Sequence, residues 1–341
     1  MKSRHASVIS IVIATLVTWT WAASSASAAS ERSYDLIVCD DPGSPAHAVG
    51  VGLELLIKLE LLPTVGVNVA SSTSSRDESC LEKMKDNAAS FAVLDRTVLG
   101  SAPADLPTSG GKAEVRPLLI AALWRQAAHF VIARSHLLSG TIGDIALLST
   151  NQFMVDPALR KSASQLLAKA GITTDHQADL RLASPEALVE GFDRGTMIGF
   201  AVLEMTPSPL VAEFLSKTGG RATLLGLSER DVLADGKGWR PVLIPADSYP
   251  DIDQPIETFG NKVMLAAEAD IPDETVYQVT KTMFDNLPKL NRLHDVAAEI
   301  RIDQALVDAD LPLHPGAARY YREIGVLPYE AGALKADRSN Q

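Results

Sequence analysis

Residues 34–70 read YDLIVCDDPGSPAHAVGVGLELLIKLELLPTVGVNVA, and the fold class turns on this stretch. Leu36-Ile37-Val38-Cys39 is an apolar run of strand length. A turn follows, then Ser44 as a helix cap and Pro45 at the first helical position, where a missing amide proton costs nothing. The helix runs to Leu62, and Val65–Ala70 is the next strand. Strand, helix and strand in that order imply parallel strands with helices packed on them.

The same pattern continues outward. Ser75-Arg76-Asp77-Glu78 is a capping box that opens a helix carrying Leu81 and Met84, and Phe91–Leu94 is a third strand. Val115–Leu123 and His129–Ala133 read as two further strands on either side of a crossover. In a second unit, the strand Phe153–Val155 runs into Asp156-Pro157 and a helix ending at Gly171. Ser184-Pro185 starts another helix, Met197–Leu203 is a strand, and a helix opened by Thr206–Pro209 stops near Gly219. Trp239–Ile244 leads back, and the remainder reads as mainly helical, with helices at Pro272–Asn286, around Leu290–Ile300 and at Pro315–Ile324. We therefore expect an α/β fold of parallel-rich sheets flanked by helices. Residues 30–127 plus 241–328 would form lobe I, 128–240 lobe II, and 329–341 a flexible tail. Two such units joined by two crossovers would face each other across a cleft, beyond the strand ends where helix N-termini gather.

The first 28 residues read as an address. Lys2 and Arg4 precede an apolar run of about 14 residues, Val8 to Trp21, and Ala26-Ser27-Ala28 is a cleavage pattern. The run is short of the roughly 18–20 residues that span a bilayer. The expectation is an exported, periplasmic protein whose mature chain does not insert into the membrane.

Composition narrows the function. Of 341 residues 46% are hydrophobic and 21% charged, enough apolar content for full-sized cores. The net charge is −11, with no basic run and 5% aromatics, which excludes a nucleic-acid binder. There is no Walker A loop, G-x-G-x-x-G, H-E-x-x-H or G-x-S-x-G, and the seven histidines lack ligand spacing. His294-Asp295 are adjacent on a helix and cannot face each other as base and orienter. No catalytic residue, metal site or cofactor is expected. The two cysteines, Cys39 and Cys80, either pair in an oxidising compartment or stay as buried thiols. Pairing requires the first two strands to be neighbours, and a loop of about 41 residues would then be closed, worth roughly 4 kcal/mol.

A family resemblance enters at the carboxyl end. Pro312-Leu313-His314-Pro315-Gly316-Ala317-Ala318-Arg319-Tyr320-Tyr321-Arg322-Glu323-Ile324-Gly325 resembles the closing segment of the TAXI family of TRAP-transporter solute receptors. Ile244-Pro245-Ala246-Asp247-Ser248-Tyr249 is similar to the family's I-P-A-G-x-Y segment, and Pro272-Asp273-Glu274-Thr275-Val276-Tyr277 to its P-D-D-x-V-Y helix start. The similarity runs from about residue 34 to 327 and is weaker in the first half. It implies a two-lobed type II periplasmic-binding fold, no catalysis, and delivery of a small solute to TRAP permease subunits in the membrane. The closing segment itself reads as a packing helix.

The pocket turns depart from the family. Its G-G-T-Y-Y-P turn is here Gly43-Ser44-Pro45-Ala46-His47-Ala48, and T-G-G-S-x-x-N-L becomes Ser74-Ser75-Arg76-Asp77-Glu78-Ser79-Cys80-Leu81. Because Cys39 and Cys80 fall on these two turns, the alignment favours a disulfide bracing the cleft floor. Asp40, Asp41, Asp77, Glu78 and Asp156 make the turns acidic, against Arg76, Arg96 and Arg160 as clamps for a carboxylate. A zwitterionic or cationic solute fits that excess better than a dicarboxylate. The candidate ligand residues are Ser44, His47, Ser75, Arg76, Asp95, Trp124, Asp156 and Thr206. Loss of the family's pocket residues leaves open a second reading, a signalling or protein-interaction module on the same fold.

Overall fold

The computed structural model describes residues 32–40, 42, 44–62, 64–71, 83–84, 90–95, 116–140, 142–148, 152–156, 159, 168, 184–227, 239–307 and 311–328. The expected signal segment, the capping box with Ser75, Arg76 and Cys80, the arginines Arg96 and Arg160, and the tail lie outside these residues. No described helix is long and apolar enough to cross a membrane.

The architecture is α/β, one mixed sheet flanked by helices. The strands are β1 (Arg32–Val38), β2 (Val65–Ser71), β3 (Ser90–Asp95), β4 (Pro117–Ala133), β5 (Phe153–Val155), β6 (Gly199–Glu204), β7 (Ala222–Leu225), β8 (Arg240–Ile244) and β9 (Ile256–Glu268). They run in the order β2-β1-β3-β9-β4-β6-β5, with β7 on β4 and β8 on β9. Parallel pairs stand toward the two ends, β1 with β2 and β3, and β5 with β6. Between them β9 lies antiparallel to both β3 and β4.

Helix α1 (Pro45–Leu61) shows how local sequence builds this frame. The Ser44 hydroxyl accepts from the His47 amide at 3.1 Å, and Pro45 opens the helix. Ala46, Val49, Leu53, Leu56 and Ile57 form one buried face at helical spacing. Gly50 lets that face approach the sheet, since a Cβ there would stand 2.6 Å from a Val38 methyl. Helices α2 (Pro185–Asp193) and α3 (Pro209–Thr218) likewise start on a serine cap and a proline, and α3 ends on Gly219 at φ 57°. Helix α4 (Asp273–Asp285) packs on α5 (Pro315–Glu323).

The distinctive closing segment is structural. Pro312 to His314 run beside β4, with the Leu119 amide donating to the Pro312 carbonyl at 2.7 Å and the His314 amide to the Leu119 carbonyl at 2.9 Å. His314 Nδ1 then caps α5 by accepting from the Gly316 amide. A Cβ on Gly316 would meet the Asp273 carbonyl at 2.2 Å, so only glycine lets α5 seat on α4. His294 is a cap too, accepting from the Val296 amide.

Two elements differ from the sequence reading. The strands read at 115–123 and 129–133 are not separate, because β4 runs unbroken over Pro117–Ala133. After residue 244 the chain is not mainly helical, because β9 occupies Ile256–Glu268. Nearly every residue of β9 is buried, so it shows no period-two alternation, and its Met264-Leu265-Ala266-Ala267-Glu268 run is made of helix formers.

β4 and β9 connect two sets of cores. At one end, Leu36, Val38, Phe91, Val93, Val263 and Leu265 pack under α1, and Ile37, Ala92, Leu94 and Met264 fill the opposite face. At the other end, Phe130, Phe153, Val155 and Phe259 fill one face, and Val131, Phe200, Val202, Phe214 and Val242 the other. Tyr249 and Ile252 belong to this second set, so the packing of residues 242–256 lies with β6 and α3.

A buried polar chain ties that second end together. The Ser208 amide donates to the Tyr249 hydroxyl at 2.6 Å, leaving the phenol proton for His129 Nε2 at 2.7 Å. Burial lowers the His129 pKa from 6.5 to about 4. A histidine held neutral stabilises the fold fully above pH 6.5, and that stability is lost as pH falls toward 4. Thermal melts from pH 8 to 4 should show the protein losing about 3 kcal/mol more than a His129→Asn variant, which keeps an acceptor for Tyr249. Glu268, raised by burial to about 7, acts in the opposite direction in both proteins and cancels in the comparison.

Candidate functional site

The site is built where β4 and β9 pass from one set of cores to the other. Both apolar strands are interrupted there by polar residues, Arg125-Gln126 in β4 and Asn261-Lys262 in β9. The register sets these pairs opposite each other, Arg125 against Lys262 and Gln126 against Asn261. Side chains alternate along a strand, so the two pairs project from opposite faces of the sheet.

One face continues the core under α1. Asp95, the last residue of β3, pairs with Val263, which pairs in turn with Trp124. Asp95, Val263 and Trp124 thus make a row across three strands, with Asp95 and Trp124 about 10 Å apart. The next row holds Asn261 and Gln126. Asp95, Trp124, Gln126 and Asn261 are each at least 96% buried. Helix α1 packs on this face and begins beyond the end of β1, with Ser44 and His47 in its opening turn. It carries no acidic residue in that turn, so its positive end is not offset from within, and His47 Nδ1 is buried without a partner.

The opposite face holds a cavity of about 340 Å³. Ala122, Arg125, Ala127 and Lys262 line it from the two long strands, Val242 from β8, Met205 and Thr206 from beyond β6, and Glu299, Arg301 and Gln304 from the segment that crosses the β4 edge. Trp124 borders it as well. Its cations are partly engaged: Lys262 donates to the Val307 carbonyl, and Arg301 holds Asp303 through two nitrogens at 2.8 and 3.0 Å. The Thr206 hydroxyl is buried without a partner, next to the cis Thr206–Pro207 bond.

Of the residues expected from sequence, Ser44, His47, Asp95 and Trp124 therefore belong to the α1 side of the sheet, Asp95 at the end of β3 and Trp124 midway along β4. Thr206 stands at the cavity on the other face. Asp156 follows β5, and its Oδ1 accepts from the Leu159 amide at 3.1 Å as a cap. No described contact joins it to Asp95 or Trp124. Ser75 and Arg76 lie outside the described residues. Sequence reasoning missed Arg125, Gln126, Asn261, Lys262 and Arg301. The signal for the first four was present: a polar pair inside each of two long apolar runs is costly unless the two meet.

Among the described residues, no group of three or more His, Cys, Asp or Glu side chains could hold a metal ion. The sequence matches the NMT1-like family over residues 42–325. The chain belongs to the NMT1-like family. Among solved structures, this NMT1-like protein is similar to the malate-bound MatC of Rhodopseudomonas palustris at 14% identity and TM-score 0.47, over 86% of this chain and 96% of that one. It is similar to a TctC solute binding protein from Polaromonas at 14% identity and TM-score 0.46, over 87% and 99%. A third similar structure is R. palustris Rpa4515 with adipate, at 11% identity and TM-score 0.42, over 86% and 93%.

The unpartnered Thr206 hydroxyl makes a direct prediction. Thr206→Val removes no hydrogen bond and keeps the shape, so the ligand-free protein should unfold at an unchanged or slightly higher temperature, by up to about 1 kcal/mol. A fall in the melting midpoint would show that the hydroxyl has a structural partner.

Proposed function

We propose that this NMT1-like protein is an exported solute-binding receptor of the TAXI type, with no catalytic activity of its own. It captures a small polar solute, amino-acid-like or an organic acid, in a cleft between two lobes and delivers it to a TRAP-type permease in the membrane. The observation that carries this reading is the gathering of Asp95, Trp124 and the α1 N-terminus on one face, where both long strands pass between the two sets of cores. Strand ends and a helix N-terminus together form a usual place for a small polar ligand in an α/β sheet. Two strands joining two sets of cores are also the connection a closing movement needs. On this reading, residues 30–127 plus 241–328 form lobe I and residues 128–240 form lobe II.

The cleft floor is braced in this proposal by a Cys39–Cys80 disulfide. Its support is that β1 and β2 are parallel neighbours, that Cys39 is buried just past β1, and that no described cysteine is a free thiol. Export through a cleaved segment at residues 1–28 would place the protein in the oxidising periplasm, where such a bond persists. Dithiothreitol should then lower stability by roughly 4 kcal/mol, read as a drop in the midpoint that Cys80→Ser reproduces and that reduction does not deepen.

The receptor reading is tested by thermal shift of the purified protein against amino acids, amines, oxoacids and sugar acids. A bound solute should raise stability by about 2.7 kcal/mol at a hundredfold excess over its Kd, and Trp124→Ala should reduce that shift. The absence of the family's threonine and tyrosines from Gly43–Ala48 favours the alternative of a protein-interaction module, and a panel that shifts nothing would select it.

A further inference from the structure

We propose that Gln126 and Asn261 are the specificity-determining pair of this site: two facing carboxamides that hold a neutral hydrogen-bonding group of the solute. The inference rests on the receptor reading above and deepens it. The two residues are register partners in β4 and β9, so their Cβ atoms lie about 4.5–5.5 Å apart on one face. Gln126 is 4% and Asn261 3% exposed. Both amide atoms of Asn261 and Oε1 of Gln126 are buried without any hydrogen-bond partner. Buried polar atoms are nearly always paired, and leaving one unpaired destabilises the fold. Three such atoms on two facing residues, in the row next to Trp124 and Asp95, point to a partner that the described residues do not supply.

The chemistry of the pair limits that partner. A carboxamide offers both N–H donors and a carbonyl acceptor and carries no charge. The charged side chain in these two rows is the Asp95 carboxylate, while Arg125 and Lys262 project from the other face. Among the described residues, neither row supplies a cation of its own to a dianion. A group that both donates and accepts, such as a carboxamide, a hydroxyl or the amino end of a zwitterion, satisfies the amides and tolerates Asp95.

The test is calorimetric titration of the purified protein with L-glutamine, L-serine, malate and succinate, beside Gln126→Met, Asn261→Leu and the double variant. The expected result is tighter binding of an amino acid than of either dicarboxylate, about tenfold weaker in each single variant and about a hundredfold weaker in the double. The ligand-free double variant should melt at or above the wild-type temperature, because no internal hydrogen bond is lost. Equal amino-acid binding by wild type and double variant overturns the pair's role and leaves the receptor reading standing. A preference for malate or succinate, or a lower ligand-free midpoint in the double variant, overturns it as well. Wild type that binds none of these probes nor any member of the broader panel removes the receptor reading and this inference together. If the double variant does not fold, Gln126→Met carries the test on the same readouts.

Discussion

The antiparallel pairing of β4 with β9 is the constraint on which the rest of the structure depends. Their ladder runs from Pro117 against Glu268 to Ala127 against Gly260, and each strand then continues into the second set of cores. Everything else attaches to these two strands. β3 and β8 follow one another along one edge of β9, and β6 and the 312–314 segment share the far edge of β4. Gly260 is required where the strands come closest, since a Cβ there would stand 2.0 Å from the Gln126 carbonyl. Packing at one end is therefore linked to packing at the other through backbone hydrogen bonds rather than through a flexible linker.

A continuous ladder also explains why polar residues can stand mid-strand. In the flanking cores each face is filled by aliphatic and aromatic side chains, and a polar residue there would lose its hydration without return. Arg125, Gln126, Asn261 and Lys262 fall in the interval between the cores, outside the apolar clusters. The register sorts them by chemistry. Charged residues share one face with the cavity, and neutral amides share the other with Trp124 and Asp95. A shift of one residue would exchange the two sets, so the close contact at Gly260 also keeps the amides on the α1 side.

Much of the frame is legible in the sequence, and the reasons are local. Ser44-Pro45, Ser184-Pro185 and Ser208-Pro209 are caps followed by a residue with fixed φ, and the helices start there. Gly219 marks a helix end by the same kind of local rule. β4 is misread as two strands because its polar Arg125-Gln126 pair looks like a boundary, and only β9 opposite it makes the strand continuous. β9 is missed because two of its three partners, β3 and β4, are more than 100 residues distant and its burial on both faces removes alternation. The site has the same division. Ser44, His47 and Asp95 follow from the rule that ligands gather at strand ends, whereas Gln126 and Asn261 depend on a long-range register.

Charge on the two faces bears on the acidic pocket turns. Viewed as sequence, those turns favour a zwitterionic or cationic solute, while the cavity with Arg125, Lys262 and Arg301 would suit an anion. The register separates these tendencies, since the cations project away from α1 and Asp95 toward it. Arg301 and Lys262 are also held by Asp303 and by the Val307 carbonyl, so the cavity's positive charge already serves to fasten the 301–307 segment against β4 and β9. That segment in turn accepts from the Ala122 amide through the Ala305 carbonyl at 2.7 Å, occupying a backbone group at a β4 irregularity. The cationic face is thus accounted for by chain packing. The amide face, with its unpaired atoms, is the one that still calls for a partner from outside.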